Sequence, residues 1–185
     1  MSHFEAMDDE STIHSPQSDG GTAEEKMTDE LTGIPNRLAL KQFLANREDE
    51  PLGVVIADID RFMNVNDEHG HRVGDKVLAE VAGRLVVLAP SGSVIGRLGG
   101  DEFFYLINTD DITEVQDAAL QMMRVCDAAI VIDDLLLDVH LSAGITIAPP
   151  RDPQSGLLAA ENAMYEAKRR GGARALCLDP AWESD

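Results

Sequence analysis

Four acids stand where carboxylates of this chain can gather for chemistry: Asp58 and Asp60, which close an apolar run beginning at Leu52, and Asp101 and Glu102, which directly follow Gly99 and Gly100. Residues two apart in an extended strand emerge on the same face, so Asp58 and Asp60 would hold like charges side by side. A hard divalent cation relieves such repulsion, because Mg2+ takes a few carboxylate oxygens and keeps its other positions for water or substrate phosphate. The alternative is that one Asp caps the following turn while the other is solvated, as surface acids usually are. Glycine accepts positive φ without steric cost, so Gly99 and Gly100 read as a hairpin turn with Asp101 and Glu102 at its tip. Aspartate is also common in turns for backbone reasons alone. If the strand pairs lie side by side in one sheet, Asp58 and the hairpin acids converge and can share two cations, an arrangement suited to in-line phosphoryl displacement.

Between these clusters runs NVNDEHGH over 64–71, then Gly74 and Asp75. An amide and a carboxylate can together read a guanine edge, the carboxylate accepting from the ring N–H and exocyclic amine while the amide donates. Asn66 and Asp75 have the right types. Local physics offers a rival, with Asn66 and Asp67 in a turn and Asp75 capping a helix that begins near Lys76. His69 and His71 lack a further nearby ligand, which favours a structural or exposed role over metal binding. Lys168, Arg169, Arg170, Arg174 and, elsewhere, Arg97 are the cations of interest. They suit either a triphosphate grip or, for those near the end of the last helix, its dipole.

The elements that must position these groups follow from hydrophobic spacing. Leu40, Phe43 and Leu44 after Pro35 and Asn36 predict a helix, and residues 52–59 predict a buried strand. Val77, Leu78, Val81, Ala82 and Leu85 predict an amphipathic helix after Asp75. Val94-Ile95 and 103–107 flank the glycine turn as a hairpin, 112–130 reads as a long helix, and 135–141 with 143–148 as a second strand pair. Leu158, Ala163, Met164 and Ala167 mark a last helix, with an edge strand over 175–178. Hairpins among irregularly alternating elements favour an α+β sandwich with a largely antiparallel sheet over a doubly wound parallel one.

The chain has 185 residues, enough for one domain of ordinary size. Its net charge of −19 argues against a general nucleic-acid binder, which needs a cationic surface. An anionic ligand would need local help, most simply from metal ions. Cys126 and Cys177 are too far apart in sequence to form a metal motif, and reduced cytoplasmic thiols are the default. No apolar run is long enough to span a bilayer, and the acidic start lacks the order of a secretion signal. Residues 1–27 read as a flexible acidic leader or linker, 28–178 as the domain and 179–185 as a polar tail.

Taken together, DELTGIPNR (29–37), DIDRF (58–62), ND (66–67), GH (70–71), GD (74–75), RLGGDEF (97–103), SAGI (142–145) and AMYEAK (163–168) resemble the ordered motif series of GGDEF domains, the diguanylate cyclases. The resemblance covers nearly all of 29–178. It implies a five-stranded sheet core like that of nucleotidyl cyclases and polymerase palms, with a β-hairpin carrying the GGDEF turn. Two GTP molecules, one on each subunit of a transient antiparallel homodimer, would be joined into cyclic di-GMP with release of two pyrophosphates. By motif, Asp58 and Asp101 would ligate Mg2+ or Mn2+, assisted by the Ile59 carbonyl. Glu102 would be a further ligand or help deprotonate the attacking 3′-hydroxyl. Asn66 and Asp75 would recognise guanine, Arg61 and Phe62 would offer backbone N–H groups to phosphate, and Lys168 a side-chain contact.

The chain departs from the family at three places. Met63 stands where Lys is common, and Gly171-Gly172-Ala173 where Gly-Arg-Asn is common. Two phosphate-facing cations are thereby absent, which predicts weaker nucleotide binding. The Arg-x-x-Asp of the family's inhibitory site is replaced by Pro90, Ser91, Gly92 and Ser93, which predicts no feedback inhibition there, since the bidentate Arg fork is missing.

Overall fold

A computed structural model of the chain describes residues 27–47, 50–89 and 92–178. The expected leader and tail lie outside the described residues but for Met27, as do Pro90 and Ser91. The centre is β1 (Leu52–Ile59), buried at every position. It pairs antiparallel with β3 (Glu102–Ile107) on one side and with β6 (Leu141–Ala148) on the other. β2 (Val94–Gly99) flanks β3, and β7 (Ala175–Leu176) joins β6 in parallel, so the five-stranded order is β2-β3-β1-β6-β7. Within it, β1, β2, β3 and β6 with their crossover helices form the split β-α-β core of ferredoxin-like sheets.

Helices cover both faces, and strand alternation decides which residues meet them. Val55, Ala57 and Ile59 face α3 (His71–Val86) and α4 (Ile112–Cys126), packing with Val77, Val81 and Met122. Val54 and Ile56, with Phe104 and Leu106, face α1 (Arg37–Ala45) and α5 (Pro153–Arg169) through Leu40, Leu44, Leu157 and Met164. The same alternation assigns Asp58 and Glu102 to the α5 face. No helix among the described residues is long and apolar enough to cross a membrane.

α1 begins at Asn36, whose side chain accepts from the N–H groups of Leu38 and Ala39, as an N-cap should. Ahead of it the chain makes a wide turn: Thr28 bridges Pro35, and the Pro35 carbonyl accepts the Arg97 N–H of β2 at 2.8 Å.

Three expectations need correction. A separate helix, α2 (Phe62–His69), precedes α3, and α3 starts at His71, so Asp75 lies within a helix and caps nothing. The break between them is Gly70, at φ 83°. The long helix ends at Cys126, and β4 (Ile130–Ile132) pairs with β5 (Leu135–Leu137) in a hairpin apart from the main sheet. β6 therefore does not pair with residues 135–137; its partner is β1. Arg84 donates to the carbonyls of Val125, Ala128 and Ala129, at and just beyond the end of α4.

α5 lies against β6 because Gly144 has no side chain: a Cβ there would run into the Ala160 carbonyl and the Met164 backbone N. This close approach determines where Lys168, one turn beyond Met164, ends up. Gly144→Ala is expected to destabilise the fold by about 1–3 kcal/mol or more, the cost of overpacking against backbone. Urea denaturation measures it, and an unchanged midpoint would refute the close-packing account.

Candidate functional site

Asp58 is the last residue but one of β1, and its direct cross-strand partner in β3 is Glu102. The turn between β2 and β3 uses Gly99 at φ 138° and Gly100 at φ 55°, which brings Asp101 back beside β1, where its carbonyl accepts the Ile59 N–H at 3.3 Å. Asp58 is 6% exposed. Its carboxyl is pushed up to about 7, first by burial and then by the adjacent Asp101, against the opposing pull of Lys168. Glu102 is raised for a similar reason, burial first, then the charges of Glu161 and Asp101.

Lys168 reaches from the last turn of α5 to form an ion pair with Asp58 Oδ1. That oxygen is buried, and the Lys168 ammonium is its close partner. Among the described residues no three His, Cys, Asp or Glu side chains are gathered tightly enough to hold a metal ion. The acids at the strand end nevertheless fit Mg2+, which typically needs one or two carboxylates and completes its shell with water and phosphate. The buried Asp58 Oδ1 beside Asp101 offers that hard-oxygen donor set.

Asp60 does not share this site. β1 ends at Ile59, alternation stops, and the Asp60 carboxylate turns to accept Ser142 Oγ and the Ala173 N–H, each at 2.7 Å. It does not cap its own turn; it clamps the loop after α5. Gly172 sits in that loop at φ 77°, and a Cβ there would come within 2.8 Å of the Asp60 carboxylate.

Beside the acids, Arg61 at φ 56° turns the chain into α2, whose first turn is not capped by a side chain. Its leading N–H groups, Phe62's included, point as anion donors do. Met63, in this first turn, is 73% exposed. Asn66 follows one turn after Phe62, and its amide lies against Gly74 of α3, the residue before the exposed Asp75.

The remaining cations are committed elsewhere. Arg97 donates to Asp29 at 2.7 Å and to the Gly100 carbonyl at 3.0 and 2.6 Å, so it braces the hairpin. Burial raises the Asp29 carboxyl, but hydrogen bonds from Thr32 and Arg97 outweigh it and hold the group below the usual range. Arg169 and Arg170 both pair with Glu166 at 2.9 Å, and Arg174 donates to the Gly172 carbonyl at 3.1 Å. His71 opens α3 and His69 lies 3.8 Å from Glu68. The Asp29–Arg97 brace, the Ser142–Asp60 bond and the Glu161 neighbour of Glu102 carry no local sequence signal.

A ferredoxin-like sheet with acids at the end of its central strand and on the adjoining glycine turn defines the palm-type nucleotidyl cyclase class. The family described as diguanylate cyclase, GGDEF domain, matches residues 26–174, and the chain belongs to it. It is 35% identical over 173 residues to diguanylate cyclase DgcP of Escherichia coli K12, covering 85% of this chain and 49% of that protein. With diguanylate cyclase DgcZ of the same organism it shares 32% over 157 residues, 82% of this chain and 53% of DgcZ. The chain thus spans about half the length of these curated relatives. The crystal structure of the coiled coil and GGDEF domain of DgcB from Caulobacter crescentus in complex with c-di-GMP superposes with TM-score 0.75 at 25% identity, covering 82% of this chain and 85% of that one.

The Asp58 environment has a measurable consequence. Its carboxyl keeps its proton up to about 7 when folded, while an unfolded Asp releases it near 4, so between these values the folded state binds more protons. Raising the pH across that window therefore removes stability, and above about 7 the loss is complete. Without divalent ions, Asp58→Asn is expected to gain stability relative to the parent steadily from pH 4 to about 7 and to level off beyond. Urea denaturation at a series of pH values tests this; a difference that is flat or of opposite slope contradicts it.

Proposed function

We propose that this chain is a Mg2+-dependent diguanylate cyclase domain that condenses two GTP molecules into cyclic di-GMP and two pyrophosphates. The observation that carries the reading is the buried Asp58, paired with Glu102 across the strands and crowded by Asp101, at the mouth of the uncapped α2. The Mg2+ or Mn2+ ion, when bound, neutralises triphosphate charge and polarises the reacting phosphate. Asp58 and Asp101 hold it with the Ile59 carbonyl, and Glu102 assists there or accepts the proton of the attacking 3′-hydroxyl. Backbone N–H groups of Arg61 and Phe62 receive phosphate oxygens, and Asn66 and Asp75 select guanine. Lys168, which pairs with Asp58, would offer its ammonium to phosphate.

Each subunit carries one GTP, so reaction requires two copies facing each other in antiparallel fashion, a transient homodimer. GTP places the reaction in the cytoplasm. The −19 net charge supports a small anionic nucleotide delivered with a cation over any nucleic-acid partner. Feedback by cyclic di-GMP through 90–93 is absent in this reading; of that stretch Gly92 and Ser93 lie among the described residues and supply neither guanidinium nor carboxylate.

A second reading, a catalytically weak or inactive module that binds GTP or cyclic di-GMP for signalling, is favoured by Met63 and Gly172, where phosphate-facing cations are lacking.

Incubation with GTP and Mg2+ at increasing protein concentration is expected to yield cyclic di-GMP with a rate that rises faster than linearly. The product should vanish in Glu102→Ala and on chelation. Nucleotide binding without product at any concentration selects the second reading. Met63→Lys is expected to tighten GTP binding by about tenfold, a charged hydrogen bond discounted for exposure. Gly172→Arg should gain less, because its Cβ overlaps the Asp60 carboxylate at 2.8 Å. Calorimetric titration of both variants measures this, and equal or reversed gains would count against the loop geometry.

A further inference from the structure

Gly74 lies inside α3, and its N–H is bonded to the Gly70 carbonyl at 3.3 Å as in any helix. It is not among the positive-φ glycines, so the backbone does not require glycine there. Helix propensity argues for almost anything else, glycine being the least favourable residue after proline. What requires glycine is the space above it. A Cβ at Gly74 would collide with Asn66 Oδ1 and come within 3.0 Å of Asn66 Cγ and 3.2 Å of Phe62 Cζ. Phe62 and Asn66 are four residues apart and so lie on one face of α2, stacked over this one position.

We propose that Gly74 is a positioning residue for nucleobase selection: its missing side chain is the seat in which the Asn66 amide rests, one residue before Asp75. The inference rests on the reading of Asn66 and Asp75 as the guanine contacts. A methyl group at 74 forces the Asn66 side chain to rotate out of its seat. The short Asn side chain can do this without unfolding either helix, so the fold survives while the amide no longer faces the base edge. Discrimination between guanine and adenine then falls, because the amide and carboxylate read the base only as a pair. Phosphate contacts at the start of α2 are made by backbone and are affected less.

The test is a double-mutant cycle on residues 66 and 74, with the α,β-methylene analogues of GTP and ATP titrated in Mg2+ and thermal melting recorded for each protein. Gly74→Ala is expected to lose roughly tenfold of the guanine preference, as Asn66→Ala does, with the ATP analogue bound about as before. Gly74→Ala added to Asn66→Ala is expected to cost no further preference and to raise the melting temperature, because the methyl group then has room. A Gly74→Ala protein that keeps the parent's preference overturns the inference while leaving the guanine reading intact. A parent that binds both analogues equally removes the guanine reading itself, and this role with it. If Gly74→Ala melts far lower than the parent, the double variant decides: recovery to the Asn66→Ala melting temperature supports the seat, and no recovery overturns it.

Discussion

A buried carboxylate that needs a positive neighbour is the constraint around which this domain is arranged. Asp58 occupies the end of a strand with no exposed position, and the fold supplies it with an ammonium from α5 and crowds it with Asp101 from the hairpin. Removing an ionised group from water is costly unless it is paired. The charge is held there by the rest of the sheet: β6 brings α5 to the right height through Gly144, and the glycine turn returns Asp101 to the strand end. The result is a strand end where three carboxylates and one ammonium crowd together.

Asp60 shows how the same strand end serves two purposes. Two positions on from Asp58 and of the same type, it directs both oxygens to Ser142 and Ala173. It thereby joins β1, β6 and the loop after α5, the three segments on which Lys168 depends. Its neighbour Gly172 lies at φ 77°, close enough to the Asp60 carboxylate that a Cβ there would meet it.

The parts of the fold that were legible in the sequence are those with an uninterrupted apolar signature. β1 was expected at 52–59 and is found there, because a strand buried on both faces reads as a continuous apolar run. α2 escaped because FMNVNDEH buries Phe62 alone and shows no apolar stripe, and Gly70 and Gly74 looked like breaks when one is a junction and the other a packing contact. Residues 135–148 were assigned one strand pair because periodicity does not reveal which strand is the partner. Within the site, the acids and the Asn66 and Asp75 pair were recognisable by type and motif. The bonds that orient them were not, since Asp29 meets Arg97 across 68 positions and Asp60 meets Ala173 across 113. Helix and strand periods are local, and such contacts exist only once the chain is folded.

The wide turn before α1 is riveted to the edge of β2 at two points, the Pro35 carbonyl on the Arg97 amide and the Asp29 carboxylate on the Arg97 guanidinium, while that same guanidinium grips the Gly100 carbonyl. The entry of the chain at Thr28 is thereby tied, through a single arginine, to the loop that carries Asp101 and Glu102.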